Sequence, residues 1–126
     1  MQTNSKHIFI IAKDFSSCPG GRAISTGDYS AELLYTKHLK PLFRKIVDAN
    51  HLLLIDLDGT QGYAISFLDE VFGRFTTDFT QKEMSLLKVK SNEDPELLAG
   101  IQDCVKEWFE RGPHPNSPLS KINSRN

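Results

Sequence analysis

HLLLIDLDGTQGYAISFLDEVFG, residues 51–73, is the stretch whose reading decides the fold. Residues 52–55 form an unbroken apolar run closed by Asp56, the pattern of a strand covered on both sheet faces. Asp58, Gly59, Thr60, Gln61 and Gly62 then supply turn chemistry. From Phe67 onward the period changes. Phe67, Leu68, Val71, Phe72 and Phe75 recur at helical spacing, which predicts a helix with Asp69, Glu70 and Arg74 facing away from the core. Ser66 stands where an N-cap belongs, and Asp69 three residues later completes a capping-box pattern. Strand, glycine-bearing loop and capped helix make the kind of junction at which α/β proteins place their sites.

Upstream, residues 7–12 are a second near-continuous apolar run and read as another buried strand. Residues 15–28 are the longest irregular segment, with a short strand expected over 22–25. Residues 29–49 read as a helix burying Leu33, Leu34, Leu39, Leu42, Phe43, Ile46 and Val47. Pro41 lacks an amide hydrogen and crowds the preceding turn, which predicts a kink or restart near Lys40. Lys37, Lys40 and Arg44 share one face and read as solvated surface.

Downstream, Thr80 and Glu83 form a second capping-box pattern. Leu87, Val89 and Ser91 alternate with Lys88 and Lys90, as in a half-exposed strand near a sheet edge. Asp94 and Pro95 open a last helix whose stripe is Leu97, Leu98, Ile101, Cys104, Val105, Trp108 and Phe109, and Gly112 and Pro113 stop it. Residues 1–113 are therefore expected to form the domain, and the polar segment 114–126 a disordered tail. The order β, long loop, α, β, α, β, α predicts a single α/β domain. Its sheet is mainly parallel or mixed, of about four strands, with helices packed on it through right-handed crossovers.

At 126 residues the chain suits one self-sufficient core. A net charge of −1 gives no global field to recruit nucleic acid or an anionic membrane. No apolar run approaches the roughly 20 residues of a membrane span, and the first residues lack the apolar core of a secretory leader. Cys18 and Cys104 have neither framework nor metal-ligand spacing, so a reduced cytoplasm is the expected setting.

Asp56-Leu57-Asp58-Gly59-Thr60 after an apolar strand matches the nucleophile motif of haloacid-dehalogenase-like phosphatases, in which the first Asp attacks phosphorus, the second handles the leaving-group proton, and both help hold magnesium. That chemistry also needs a lysine and further carboxylates from later strands. The one later strand ends around Lys88, Val89 and Lys90 without a carboxylate, and Glu93 and Asp94 read as a helix start. No catalytic residue, cofactor or metal ligand is therefore assigned, and a magnesium-dependent phosphatase using Asp56 and Asp58 is the alternative. Gly21 and Arg22 are candidate anion binders, the loop by its amides and Arg22 by its fork, which gives a nucleotide or anion binder as another alternative. Ser66 is a candidate phosphoacceptor, because a phosphate at a helix start meets free amides, while Asp69 and Glu70 would repel it. His7, His38, His51 and His114 show no metal-ligand pairing.

Gly21-Arg22, Gly27-Asp28-Tyr29-Ser30, Leu39-Lys40-Pro41, Ile55-Asp56-Leu57-Asp58-Gly59 and Ser66-Phe67-Leu68-Asp69-Glu70-Val71-Phe72-Gly73 occur in a succession that resembles the bacterial STAS-like domain of unknown function. The resemblance covers residues 7–75 and continues beyond them only by element order. It implies kinship with STAS domains such as the anti-sigma factor antagonists, which carry a regulatory serine at a helix start and meet a histidine-kinase-like ATPase. It also implies a non-enzymatic regulatory module. The partner is then such an ATPase or an anti-sigma-factor-like protein, met through Asp58, Gly59, Gln61, Tyr63, Ser66 and Asp69. Antagonists read Asp-Ser-Ser-Gly at the helix start; here Ala64-Ile65-Ser66-Phe67 puts Ile65 at the acceptor position and Ser66 one place later.

Overall fold

Strand β2, Leu52–Asp56, is the middle of a three-stranded parallel sheet, with β1, Lys6–Ile10, on one side and β3, Leu87–Lys90, on the other. A computed structural model describes residues 5–123. The register pairs Ile8 with Leu54 and Leu54 with Lys88, so alternate residues of the three strands share a face. On one face Phe9, Leu53 and Ile55, with Ile11 and Leu57 just beyond the strand ends, pack against Leu34, Leu39, Phe43, Phe67, Val71, Phe72 and Phe75 in a single core. Each large apolar side chain buried there contributes about 1.5–3 kcal/mol.

The other sheet face departs from expectation. Ile8 is 54% exposed, and Ile10, Leu52 and Leu54 are only half-buried. Residues 52–55 read as covered on both faces because both alternate sets are apolar, yet only one set meets helices.

Among the described residues three strands are found rather than about four. The expected strand over 22–25 is a loop ending in a single 3₁₀ turn, Ile24–Thr26. Its backbone is committed elsewhere: the carbonyls of Gly21 and Arg22 accept the amides of Ala31 and Glu32, and the Ile24 amide donates to Glu32 Oε1. After β1 the chain makes one turn, α1, Ile11–Asp14, and Asp14 Oδ2 accepts the Ile10 amide at 2.8 Å.

The first crossover is one helical run over 31–48, made of α2, Ala31–Leu33, a π-helical segment, Leu34–Leu39, and α3, Lys40–Asp48. Ser30 caps it by accepting the Leu33 amide at 3.1 Å. The restart expected near Lys40 takes the form of the π segment, which widens the helix just before Pro41 has no amide to give. Tyr35, absent from the expected buried set, is inside, its hydroxyl 2.6 Å from Asp78 Oδ2.

The second crossover contains α4, Ile65–Asp78, and the short α5, Gln81–Met84, whose capping box between Thr80 and Glu83 forms as the pattern indicated. Helix α6, Glu96–Arg111, follows β3 and lies against α4. Asp94 does not cap α6; Pro95 is its N-cap residue, and no side chain bonds there. Of the predicted stripe only Ile101 and Trp108 are buried, the other five residues being half-buried.

Residues 114–123 correct the expectation of a disordered tail, whereas 124–126 lie outside the described residues. Ser117 is fully buried, and α7, Pro118–Asn123, follows it. The segment is retained because the Ser117 hydroxyl donates to Glu70 Oε2 at 2.9 Å.

Candidate functional site

The loop 58–64 and the first turn of α4 leave the carboxyl end of β2. Asp56 Oδ1 accepts the Asp58 amide at 2.9 Å, which tightens the exit. Both oxygens of Asp58 are engaged, Oδ1 with the Glu93 amide at 2.9 Å and Oδ2 with the Asn92 amide at 3.1 Å. Glu93 returns the link by accepting the Gly59 amide at 2.9 Å. Asp58 and Glu93 thus fasten the loop after β2 to the loop after β3.

The later strand supplies a lysine to these carboxylates, though no carboxylate of its own. Lys90 Nζ lies 3.5 Å from Asp56 Oδ2 and 3.9 Å from Asp58 Oδ2. The cation balances the two charges while backbone amides occupy Asp58. Among the described residues no three His, Cys, Asp or Glu side chains converge as a metal site.

Tyr63 was the aromatic expected to face a partner. Its ring packs 5.8 Å from Phe67, and its hydroxyl donates to the Leu57 carbonyl at 2.7 Å. Burial, the largest influence, pushes the phenol up to about 12, so it stays a donor. The loop is held from a third side by the Gln61 amide, which donates to the Ser17 carbonyl at 2.8 Å. Gly59 and Gly62 have φ of 93° and 127°, which side chains rarely adopt.

Ser66 is not the N-cap. The helix starts at Ile65 and its cap position is Ala64, whose carbonyl accepts the Phe67 and Leu68 amides at 3.0 and 3.3 Å; no side chain caps it. Ser66, one residue inside, lines a cleft of about 730 Å³ together with Arg22, Ile24, Thr26, Asn116 and Pro118.

Asp69, Glu70 and Arg74, expected to face away from the core, point inward. Glu70 is fully buried and Arg74 is 5% exposed. Glu70 Oε2 meets Arg74 Nε at 2.5 Å and Oε1 meets Arg22 Nη1 at 3.1 Å. Asp69 Oδ2 takes the same Arg22 nitrogen at 2.6 Å, and Oδ1 accepts Trp108 Nε1 at 3.0 Å. Burial pushes the Asp69 carboxyl up, but Arg22, Trp108 and the Cys104 thiol together hold it below the usual carboxylate range. Burial pushes the Cys104 thiol itself up. Asp69 is thus a structural hinge-pin between elements rather than an open contact residue.

The anion-binding reading of Gly21 and Arg22 meets the same obstacle. Arg22 Nη1 is shared by two of the protein's own carboxylates, and Gly21 and Arg22 turn their carbonyls toward the neighbouring helix, where the Ala31 and Glu32 amides donate to them. Gly20 is needed for a close approach, since a Cβ there would lie 2.8 Å from the Asp28 carbonyl oxygen.

What the loop does expose is Gly59, Gln61, Gly62, Ala64 and, above all, Ile65, 86% accessible. Spacing gave no signal for Ile65. It falls in line with Leu68 and Phe72 at i+3 and i+7, a buried position, but it opens the helix beyond the end of the core. Ile24, 54% exposed in the cleft beside Ser66, is a second apolar residue on the outside.

A family model described as a STAS-like domain of unknown function matches residues 30–97, more than half of the chain. The match begins at the capping Ser30 and runs through β2, the 58–64 loop, α4 and β3, while the motif resemblance spans 7–75. No curated protein and no solved structure matches the chain. Apart from the Ser17 carbonyl, the residues that fasten the loop after β2, among them Asp56, Asp58, Tyr63 and the Asn92 and Glu93 amides, lie within the matched segment, and the chain belongs to the family of STAS-like domains of unknown function.

Proposed function

We propose that this chain is a regulatory protein–protein interaction module of a bacterial, cytoplasmic partner-switching system. Its docking surface is the loop 58–65, the first turn of α4 around Ser66, and the facing rim of the 20–28 loop at Ile24. The observation that carries the reading is Ile65, a large apolar side chain 86% exposed at the tip of a loop fastened from below by Asp58, Glu93 and Tyr63. A rigid loop offering one apolar anchor keeps the ordering penalty of association small. The partner is a histidine-kinase-like ATPase or an anti-sigma-factor-like protein, by the family's kinship with STAS domains. Phosphorylation of Ser66 would place a dianion at the N-terminus of α4, within the cleft and close to Asp69 and Glu70, and would release that partner. No described helix is long and apolar enough to cross a membrane.

Co-purification with a neighbouring-gene ATPase tests this reading, using wild-type protein, Ile65→Asp and Gln61→Ala. Both positions are exposed, so melting temperature is expected to hold while Ile65→Asp abolishes capture. Capture that ignores Ile65→Asp would rule out this surface.

Lys90 beside Asp56 and Asp58 gives the phosphatase reading one supporting observation. Magnesium-dependent hydrolysis of a generic aryl phosphate, lost in Asp56→Asn, would establish it. With Asp58 held by two amides, we expect no such activity.

A further inference from the structure

Strand β3 is an edge strand whose outer side is unpaired among the described residues. The Leu53 and Leu57 amides donate to the carbonyls of Leu86 and Lys90, so the even-numbered residues of β3 turn their backbone groups toward β2. By alternation the N–H and C=O of Leu87 and Val89 point the other way, and neither has a backbone partner among the described residues. Beside this edge runs an apolar groove of about 670 Å³ between β3 and α6, walled by Met84, Leu87, Leu98, Ile101, Val105 and Phe109. It exists because the apolar face of α6 is wider than the core it meets. Trp108 and Ile101 reach α4 and the core, whereas Leu98, Val105 and Phe109 remain half-buried.

We infer that the β3 edge and the α6 groove together take an extended segment of a partner protein as an added antiparallel strand, with apolar and acidic residues alternating along it. Unpaired main-chain groups ask for another main chain, and a strand satisfies both Leu87 and Val89 as a helix does not. β3 has four residues, so about 13 Å of edge is open, room for roughly four residues of ligand. The antiparallel sense gives the stronger pairing per residue. Residues directly opposite Leu87 and Val89 put their side chains on the same face as these two, into the groove, and must be apolar. Their neighbours fall on the opposite face beside the exposed Lys88, and carboxylates are the matching choice. None of the groove residues lines the cleft at Ser66 or belongs to the 58–65 loop, so this surface operates independently of the docking loop.

The probe is a fluorescein-labelled hexapeptide of alternating glutamate and valine, titrated with the full chain and read by anisotropy. Saturable binding is expected, at least ten-fold weaker when lysine replaces glutamate. N-methylation of the valines removes the amides that face β3 and is expected to abolish binding, while N-methylation of the glutamates leaves it. Val89→Pro removes an outward donor without touching the β2 ladder, and is expected to lower affinity at least ten-fold at unchanged melting temperature. Gln102→Trp fills the groove from an exposed position on α6 and tests the same site should the proline variant unfold. The inference is overturned if the N-methyl-valine peptide binds as well as the parent, if both variants bind normally, or if no peptide binds. Dimerisation through the same edge without peptide binding would likewise overturn it, since the occupant would then be a second copy.

Discussion

Trp108 occupies the space over Gly73 in which any larger residue would place its Cβ: an added carbon would overlap Cε2 and Cδ2 of the indole. The ring is fixed, because its Nε1 donates to Asp69 Oδ1 one turn earlier on the same helix. Gly73→Ala in a solvent-facing helix position would gain up to about 1 kcal/mol. Here overpacking is expected to reverse the sign and destabilise by about 1–3 kcal/mol in denaturant melts. A neutral or stabilising result would show that the indole moves freely.

The Glu70 cluster joins Arg74, one turn along α4, to Arg22 and Ser117 from two distant parts of the chain. Glu70→Ala leaves two guanidinium groups short of their carboxylate and is expected to cost about 3–5 kcal/mol. Ser117→Ala removes one donor and is expected to cost about 1–3 kcal/mol. The double variant should lose less than the sum, since both changes act on one network. Strict additivity in urea unfolding would contradict the shared network.

With Ala64 at the cap of α4, the stabilising change is Ala64→Asp, expected to add about 0.5–1 kcal/mol by accepting a first-turn amide. Ser66→Ala is expected to stay within about 0.5 kcal/mol of wild type. A loss near 1 kcal/mol in Ser66→Ala would mean that the serine caps the helix after all.

Two groups make stability depend on pH in opposite directions. The Asp69 carboxyl is held below its ordinary value of 3.8 in the folded chain. Its contribution is complete above that value and is lost as pH falls through the lower folded value. Tyr63 is raised from 10.0 to about 12, so its contribution is complete below pH 10.0 and is lost as pH rises toward 12. Asp69→Asn should therefore flatten the acid limb of a pH–melting curve, and Tyr63→Phe the alkaline limb. Unchanged limbs would remove these residues as causes.

Local pattern was enough for β2, the α4 stripe, the Thr80–Glu83 box and the edge position of β3, because each depends on neighbours a few residues away. Glu70 and Arg74 were read as solvated because a charge is normally cheaper in water. Their mutual pair is local, but Arg22, 48 residues from Glu70, and Ser117, 47 residues from it, complete the set of partners that makes their burial tolerable. No window of sequence contains that information. The start of α4 was misplaced for a related reason: Ser66 is the better capping residue, yet the Ala64 carbonyl already accepts the first helical bonds. The loop after β2 was legible as an element, but not the set of side chains that it exposes. Tyr63 and Asp69 turn inward, and Ile65 outward.

Ser117 has a bearing on synthesis as well as on the finished fold. A chain emerging from the ribosome presents β1, the first crossover, β2 and α4 long before residue 117 is released. Until then Glu70 lacks its hydroxyl donor, and the segment around Ser117 is still inside the tunnel. Local helices and the parallel pairing are free to form early, whereas burial of the Glu70 cluster waits until residue 117 has left the tunnel. Nascent chains stalled with residue 117 still in the tunnel should consequently be cut by protease around α4 far faster than chains in which a carboxyl-terminal linker has let it emerge.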